Sequence, residues 1–307
     1  MDNLFWSYKR ANDTGSKGVV TMNRPLRQCK DFRILPMLPL YFFSFMIPIL
    51  ITVQVDAQQD EETVAIVITF EDGFATDSSK NKINGTIVGN PETVDGIVGK
   101  AMQFDGEGDG IKFPDNELIN IGGPYTDRTV DAFFKCFDAT KTEKQLIFQE
   151  GGLNKGLTVY VQSGNVYVDG WNRTNYNWDG SWISANIKSN RWHHVALVLR
   201  NASDKVEEDR LELWLDGDLA DTESGGQLYS HTNDTSIGYV LQKTIYHDGE
   251  NEGTNTDWFE GIIDEVIVYN SAFEDSDFAK ITQPLSVEPN EKLTTTWGAL
   301  KNPQFVK

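Results

Sequence analysis

The acid-rich stretch 104–113, FDGEGDGIKF, contains residue types that could bind a divalent cation. Asp105, Glu107 and Asp109 fall at positions 1, 3 and 5 of an EF-hand calcium loop, where oxygen ligands are required. Position 12 should be a bidentate Glu, but it is Asn116. Because the flanking residues are β-prone rather than helical, the sequence favours a hairpin turn between two strands, with glycines that permit positive φ.

A second stretch, 169–182, places Trp171, Tyr176, Trp178 and Trp182 among Asn and Asp residues. Aromatic rings offer a flat apolar face to the C–H face of a pyranose, and amides and carboxylates hydrogen-bond its hydroxyls. The composition predicts a sugar-binding loop in which Trp178, flanked by an Asn and an Asp, is the most exposed ring. The alternative is that these rings pack in the core or along its edge.

Trp214 is a further candidate for ligand contact. In the segment 211–216, Leu211, Leu213 and Leu215 recur at period two and are expected to face the core. Trp214 then points outward, beside Glu212.

Nine short β-rich segments must position these side chains. They are separated by clusters of Gly, Asn, Asp and Ser, including hairpin-type turns at 162–165 and 215–219. Many antiparallel strands with no helices between them imply an all-β fold of two packed sheets. One short helix is predicted, opened by a capping box at 271–274 and ending near 281. The segments are 63–70, 101–104, 129–137, 145–149, 157–162, 165–169, 192–200, 211–216 and 259–269.

Cys136 lies on an apolar face of the segment 129–136. Val130, Ala132 and Phe134 recur with it at period two. An apolar site raises the pKa of a thiol, so the pattern predicts a buried, unreactive cysteine.

Residues 1–57 resemble an export signal. Four basic residues between 24 and 33 precede the apolar run 34–53, and Val55 and Ala57 are small residues before the polar sequence QQDEE. This arrangement predicts a signal peptide cleaved after Ala57. An apolar run of 20 residues is also long enough to anchor the chain in a membrane if it is not cleaved. We therefore expect a leader (1–57), one domain (58–282) and an irregular tail (283–307), secreted or extracytoplasmic.

The predicted domain is strongly acidic. Of 27 Lys and Arg, 7 lie in residues 1–57, and of 46 Asp and Glu, 4 lie there, so the remainder carries a net charge of −22. A negative field of this size repels phosphate backbones and anionic lipid. Nucleic acid is therefore excluded as a partner, and a membrane is expected only if the leader stays attached.

Several motifs occur in order along the chain: VITFEDG, INGTIVGN with VDGIVGKAMQFDGEGDGIKF, TVDAFFK, RWHHVALVLR with LELWLDG, and FEGIIDEVIVYNSAFEDSDF. Together they resemble the laminin G-like (LamG-like) jelly-roll family of the concanavalin A-like lectin/glucanase superfamily. The resemblance covers about residues 63–281 and implies a two-sheet jelly roll used mainly for binding, often with a structural calcium ion. It names no ligand.

The resemblance also suggests where calcium would bind. In the resembled jelly rolls the first and last strands lie side by side, so Glu71 or Asp72 could meet Asp264. Alternation places Asp264 on one face with Val266 and Val268, and a carboxylate among apolar residues needs a partner. That partner is either a metal ion or backbone amides.

Hydrolysis is a third possibility, because the superfamily includes glucanases. Their usual Glu-x-Asp-x-Glu run, which directs three acids into one cleft, is absent from this sequence. The acids that come nearest to this run are Glu260, Asp264 and Glu265, but Glu265 is predicted to face away from Asp264. Glu212 and Asp216 share a predicted face but lack a third acid.

The sequence therefore predicts an exported, non-catalytic binding module that recognises carbohydrate or glycoprotein. A structural or adhesive module that binds another extracellular protein is the alternative, and a glycoside hydrolase is a weaker one. An exposed tryptophan beside polar groups would favour the first, and a contiguous apolar patch would favour the second.

Overall fold

The computed structural model describes residues 63–176, 178–232 and 234–281. The predicted leader (1–57) and tail (283–307) lie outside this range. None of the helices within the described ranges has the length and apolar character needed to cross a bilayer.

The described residues form seventeen strands and two short helices, joined by turns and loops. Each segment predicted from period-two alternation contains a strand, and the strands not predicted are β2, β3, β10 and β13–β16. The strands are β1 (Val64–Ile68), β2 (Thr86–Val88), β3 (Glu92–Asp95), β4 (Lys100–Asp105), β5 (Gly110–Lys112), β6 (Arg128–Cys136), β7 (Gln145–Gly151), β8 (Lys155–Gln162), β9 (Asn165–Asn172), β10 (Trp178–Asn186), β11 (His193–Leu199), β12 (Glu207–Leu215), β13 (Asp218–Gly225), β14 (Ser236–Ile237), β15 (Thr244–Tyr246), β16 (Gly249–Asn251) and β17 (Glu260–Tyr269); the helices are α1 (Arg173–Tyr176) and α2 (Asp275–Ile281).

Two antiparallel sheets form the architecture. Sheet A has the order β13-β12-β11-β6-β17-β4-β3, and β1 also pairs with β17. Sheet B has the order β10-β9-β8-β7-β14-β5-β2, and β15 and β16 form a separate two-stranded ribbon. The all-β, two-sheet jelly-roll sandwich predicted from the sequence is confirmed.

The inner faces of the two sheets form one apolar core. Val195, Leu197 and Leu199 of β11 pack into it from sheet A, and Leu157 and Val159 of β8 pack into it from sheet B. These residues alternate along their strands with side chains on the other face, as a pleated strand requires. The other face of each sheet therefore lies outside the inter-sheet core.

Cys136 lies in this core with Val130, Ala132 and Phe134. Burial raises the pKa of its thiol to about 12. The prediction of a buried, unreactive cysteine is confirmed.

The acid-glycine stretch is not a hairpin. β4 pairs with β3 and β17 in sheet A, whereas β5 pairs with β2 and β14 in sheet B, so the intervening turn crosses between sheets. Gly106 and Gly108 adopt positive φ there, as expected. Asp109 accepts a hydrogen bond from the Asn90 amide at 2.7 Å. The hairpin prediction is wrong because adjacent strands in sequence need not share a sheet.

The last strand contains a β-bulge that the sequence did not indicate. β1 pairs with β17 as expected, but the pairing of β17 with β6 shifts between Asp264 and Ile267, and Glu265 adopts φ 51°. An extra residue reverses which side chains face the core. Consequently Ile263 and Val266 are both core residues, and Asp264 does not share their face.

Helix α2 begins three residues later than a cap at Ser271 would place it. The Glu274 amide donates to Asp277 Oδ2 at 3.1 Å, so Glu274 is the N-cap residue. The Ser271 hydroxyl instead contacts Thr63 Oγ1 at 3.1 Å. The helix lies against the outer face of sheet A, where Phe278 is fully buried.

A charged cluster is buried at one end of sheet B. The Glu150 carboxylate lies 3.0 Å from the Arg128 guanidinium and 3.6 Å from His231 Nε2, and His231 Nδ1 donates to Asp234 at 2.7 Å. Burial by itself would lower the pKa of His231, but its two carboxylate partners outweigh burial and raise the pKa to about 9. The imidazolium therefore completes the charge balance of the cluster.

We expect stability to fall as pH rises through the pKa of His231. The folded pKa, about 9, exceeds the ordinary value of 6.5, so the contribution is fully present below pH 6.5 and lost above about pH 9. This pKa shift corresponds to about 3 kcal/mol of unfolding free energy. The groups that face His231 are Glu150, Asp234 and Arg128. Tyr125 lies beyond Arg128, and burial raises the pKa of its hydroxyl above the usual range.

Urea unfolding across this pH interval tests the expectation. The variant His231→Gln should remove most of the slope of unfolding free energy against pH between 6.5 and about 9. An unchanged slope in the variant would assign the effect to other groups.

Candidate functional site

A row of polar side chains crosses the outer face of sheet B and ends at an exposed tryptophan. Cross-strand pairing aligns Ser236 with Gln149, Gln149 with Thr158, Thr158 with Asp169, and Asp169 with Trp182. Directly opposed residues in a sheet project from the same face. Their sequence neighbours, such as Phe148, Leu157 and Val168, are in the core. We call these five residues the polar row.

One half of the polar row is fully engaged by protein. Gln149 Nε2 donates to the carbonyl oxygens of Gly151 and Gln242, each at 2.7 Å, and its Oε1 accepts from the Leu241 amide at 2.9 Å. The Ser236 hydroxyl donates to the Tyr239 carbonyl at 2.6 Å. These bonds hold the segment 239–242 against the sheet, so this half is structural.

The other half is buried but not engaged. Asp169 is 2% exposed and Thr158 is fully buried, and neither carboxylate oxygen of Asp169 nor Thr158 Oγ1 has a hydrogen-bond partner among the described residues. Burial raises the pKa of the Asp169 carboxyl well above its usual range. The Tyr160 hydroxyl lies near enough to offset part of that shift, but it hydrogen-bonds to His247 Nδ1 at 2.7 Å rather than to Asp169. A buried carboxyl in this environment is favoured in its neutral form.

Trp182 stands at the open end of the row, on the edge strand β10. Its side chain is 46% exposed, while its neighbours Ser181 and Ile183 point inward. Its ring lies close to Gly180, where an added Cβ would come within 3.3 Å of the ring. Gly180 therefore leaves room for an indole on the sheet surface.

Aromatic rings border the row on the side of the β15–β16 ribbon. Tyr160 and Tyr167 stack with ring centroids 4.9 Å apart, and His247 stacks on Tyr167 at 4.5 Å. Tyr246 packs against Tyr160 at 4.6 Å. The Tyr160 hydroxyl is 2.7 Å from His247 Nδ1, which ties the ribbon to sheet B.

The expected exposure of Trp178 and Trp171 is wrong. Trp178 is 2% exposed, belongs to the inter-sheet core, and donates through Nε1 to the Ser181 hydroxyl at 3.0 Å. Trp171 is fully buried and donates to the Gly152 carbonyl at 2.8 Å. Both rings occupy strand positions rather than a loop, so pleating sets their direction. Tyr176 ends the one-turn helix α1, and its side chain lies outside the described residues.

Trp214 also does not reach solvent. Its indole faces away from the inter-sheet core, as alternation predicted, but Phe278 of α2 stacks on it with ring centroids 4.3 Å apart. Its Nε1 donates to Glu212 at 2.8 Å, and its exposure is 6%. The expectation failed because a helix covers this face of sheet A.

The three carboxylates expected to hold calcium instead accept hydrogen bonds from backbone amides. Asp264 accepts from Val98 at 3.1 Å, Glu71 from Lys100 at 3.1 Å, and Asp72 from Phe74 at 2.9 Å. Across the residues that the structure describes, no three His, Cys, Asp or Glu side chains form a group suited to a metal ion. These contacts favour the amide alternative, and calcium binding at this place stays a prediction from the sequence.

Three of the five acids considered for hydrolysis are held by basic side chains. Glu212 pairs with Arg200, Asp216 lies 3.0 Å from His193 Nδ1, and Glu260 pairs with Lys141. Asp216 adopts φ 54° in the turn after β12, so it does not extend the face of Glu212. These carboxylates do not converge on a shared cleft.

A family model described as the concanavalin A-like lectin/glucanases superfamily matches residues 105–279, which is more than half of the chain. The chain belongs to this superfamily. The resemblance inferred from its motifs is thereby confirmed. A comparison with curated proteins finds no match.

Two of the solved structures that this superfamily member resembles are binding domains of toxins. The binding domain of Paraclostridial Mosquitocidal Protein 1 aligns with a TM-score of 0.56 and 16% identity, covering 72% of this chain and 52% of that one. The binding domain of botulinum neurotoxin DC in complex with SialylT aligns with a TM-score of 0.56 and 11% identity, covering 73% of this chain and 52% of that one.

Domain 4 of AbnA, a GH43 extracellular arabinanase from Geobacillus stearothermophilus in complex with arabinotriose, gives a TM-score of 0.53 and 18% identity, covering 72% of this chain and 98% of that one. The chain thus spans about half the length of the toxin domains and nearly all of the arabinanase domain. At these identities the comparisons establish the fold.

We expect chelation to leave the melting temperature unchanged. Amide hydrogen bonds at Glu71, Asp72 and Asp264 do not depend on a metal ion. An ion present at a free concentration of 100 times its Kd would stabilise the folded chain by about 2.7 kcal/mol. Its removal by EDTA would therefore be visible in a thermal unfolding scan. A fall in melting temperature that added Ca²⁺ reverses would contradict the amide interpretation.

Proposed function

We propose that the chain is an exported, non-catalytic module that recognises carbohydrate, free or on a glycoprotein, through the outer face of sheet B. The observation that carries the proposal is the exposed indole of Trp182 beside a row of polar side chains. An indole exposed at 46% on a flat strand presents an apolar face to a sugar ring, and adjacent polar groups fix its orientation.

The surroundings of Trp182 suit a rigid platform. β9 and β10 pair over most of their length, and Trp182 lies directly opposite the buried Asp169. A side chain held on a strand keeps its position better than one on a loop, so less ordering entropy is lost on binding.

The similar structures support carbohydrate as the ligand class. The arabinanase domain, which the alignment covers almost completely, is in complex with arabinotriose, and one toxin binding domain is in complex with SialylT. The contacts of Glu212, Asp216 and Glu260 with basic side chains support a non-catalytic role, since a glycosidase needs two carboxyls placed across one bond.

The variant Trp182→Ala tests the binding proposal. On a printed array of neutral and sialylated oligosaccharides, we expect it to bind the glycans selected by the wild-type chain about tenfold or more weakly, because an aromatic contact surface is lost. Leu219→Ala is the matched control, since Leu219 is similarly exposed at 47% on the edge strand β13 of the other sheet. Equal binding by Trp182→Ala and wild type would place the site elsewhere.

Export has a separate test. The apolar run 34–53 and the small residues at 55 and 57 support cleavage before Gln58. After expression in a secreting host, N-terminal sequencing of the protein in the medium should begin at Gln58. Recovery only from membranes, with residues 34–53 retained, would favour the anchored alternative.

A further inference from the structure

We propose that Thr158 and Asp169 form a hydroxyl-binding subsite next to Trp182, and that the subsite takes an uncharged sugar. This inference rests on the proposed carbohydrate-binding function and names the chemical class of its ligand. It concerns the part of the polar row that the protein leaves without partners.

The first argument is the cost of buried polar atoms. Most buried polar atoms have a hydrogen-bond partner, and a group that lacks one costs about 1–3 kcal/mol. Thr158 Oγ1 and both oxygens of Asp169 lack partners among the described residues, although Gln149 and Ser236 in the same row are satisfied. The contrast within one row indicates that the unsatisfied half meets an external partner.

The second argument is the position of the two side chains. Thr158 and Asp169 are directly opposed on β8 and β9, and Asp169 is directly opposed to Trp182 on β10. Opposed side chains have Cβ atoms about 4.5–5.5 Å apart, which lets two of them contact one small polar ligand. β10 is the edge strand of sheet B, so Asp169 and Thr158 lie one and two strands in from that edge, and a ligand must displace the side chains that bury them to reach either.

The third argument concerns charge. The basic groups around the neighbouring ribbon are held by acids: Lys144 by Asp248, Arg173 by Glu250, and Lys243 by Glu252. The chain as a whole has a net charge of −19. An anionic sugar would therefore meet a negative field in which these three basic groups are already paired with acids.

The protonation state of Asp169 fits this ligand. Burial raises the pKa of its carboxyl, which favours the neutral acid. A neutral carboxyl offers one hydrogen-bond donor and one acceptor, as a sugar hydroxyl does. Thr158 supplies a second hydroxyl beside it.

The experiment measures binding and stability of the full chain together. On an array that pairs neutral oligosaccharides with their sialylated counterparts, wild-type protein should bind neutral members at least as well as the sialylated ones. Thr158→Val should weaken that binding several-fold while leaving the melting temperature unchanged or higher, because it removes an unsatisfied buried hydroxyl. Thr235→Val is the matched control, since Thr235 is also fully buried with an unpartnered hydroxyl but lies outside the polar row.

Substitutions at Asp169 add a second line of evidence. Asp169→Asn keeps a donor and an acceptor and should retain most binding, whereas Asp169→Leu should lose it. If binding depends on Trp182 but is indifferent to Thr158→Val and Asp169→Leu, an internal water satisfies these atoms and the subsite inference is overturned, while the proposed function stands. Binding that requires sialic acid overturns the uncharged class, and no binding to any glycan overturns the proposed function itself.

Discussion

The register of sheet B is the constraint on which both the core and the candidate site depend. Because side chains alternate with a period of two, the pairing that puts Leu157 and Val168 into the core also aligns Thr158, Asp169 and Trp182 on the opposite face. A slip of one residue would exchange the two sets, exposing the core residues and burying the site. The stability of the sandwich therefore also preserves the site, without a separate device to position these three residues.

The sequence predicted the parts of the fold that depend on simple alternation. The buried Cys136 and the tight turns at Ser163–Gly164 and Asp216–Gly217, where all four residues have positive φ, required only period-two patterns and turn chemistry. The pairing of the first and last strands was expected instead from the resemblance to the LamG-like family. The strands that were missed are short or rich in Gly, Asn and acidic residues. β10 is the important case, because the amides and glycines of 169–182 indicated a loop. The alternation of Trp182, Ser184 and Asn186 with Ile183 and Ala185 was the signal that could have identified it.

Expectations about individual side chains failed where a β-bulge interrupts the alternation or where another element covers the outer face of a sheet. An extra residue at the Glu265 bulge separated Asp264 from the face of Val266 and directed its carboxylate to the Val98 amide. Helix α2 placed Phe278 over Trp214, which alternation had correctly turned away from the core. A single sequence contains no direct information on which outer face a distant helix will cover. Burial of Trp214 was therefore beyond what its own strand could indicate.

Under the proposed function, the polar row serves both stability and recognition. Gln149 uses its amide to hold the 239–242 segment, which a β-sandwich needs because a loop laid over a sheet must satisfy its backbone groups. Thr158 and Asp169, one and two strands further along, make no such bond within the described residues, and their burial costs stability that apolar residues would not. Natural sequences depart from full local consistency mainly at functional sites. The change from satisfied to unsatisfied side chains between β7 and β8, on a face that leads to an exposed indole, is such a departure, and it defines the candidate site more sharply than aromatic composition does.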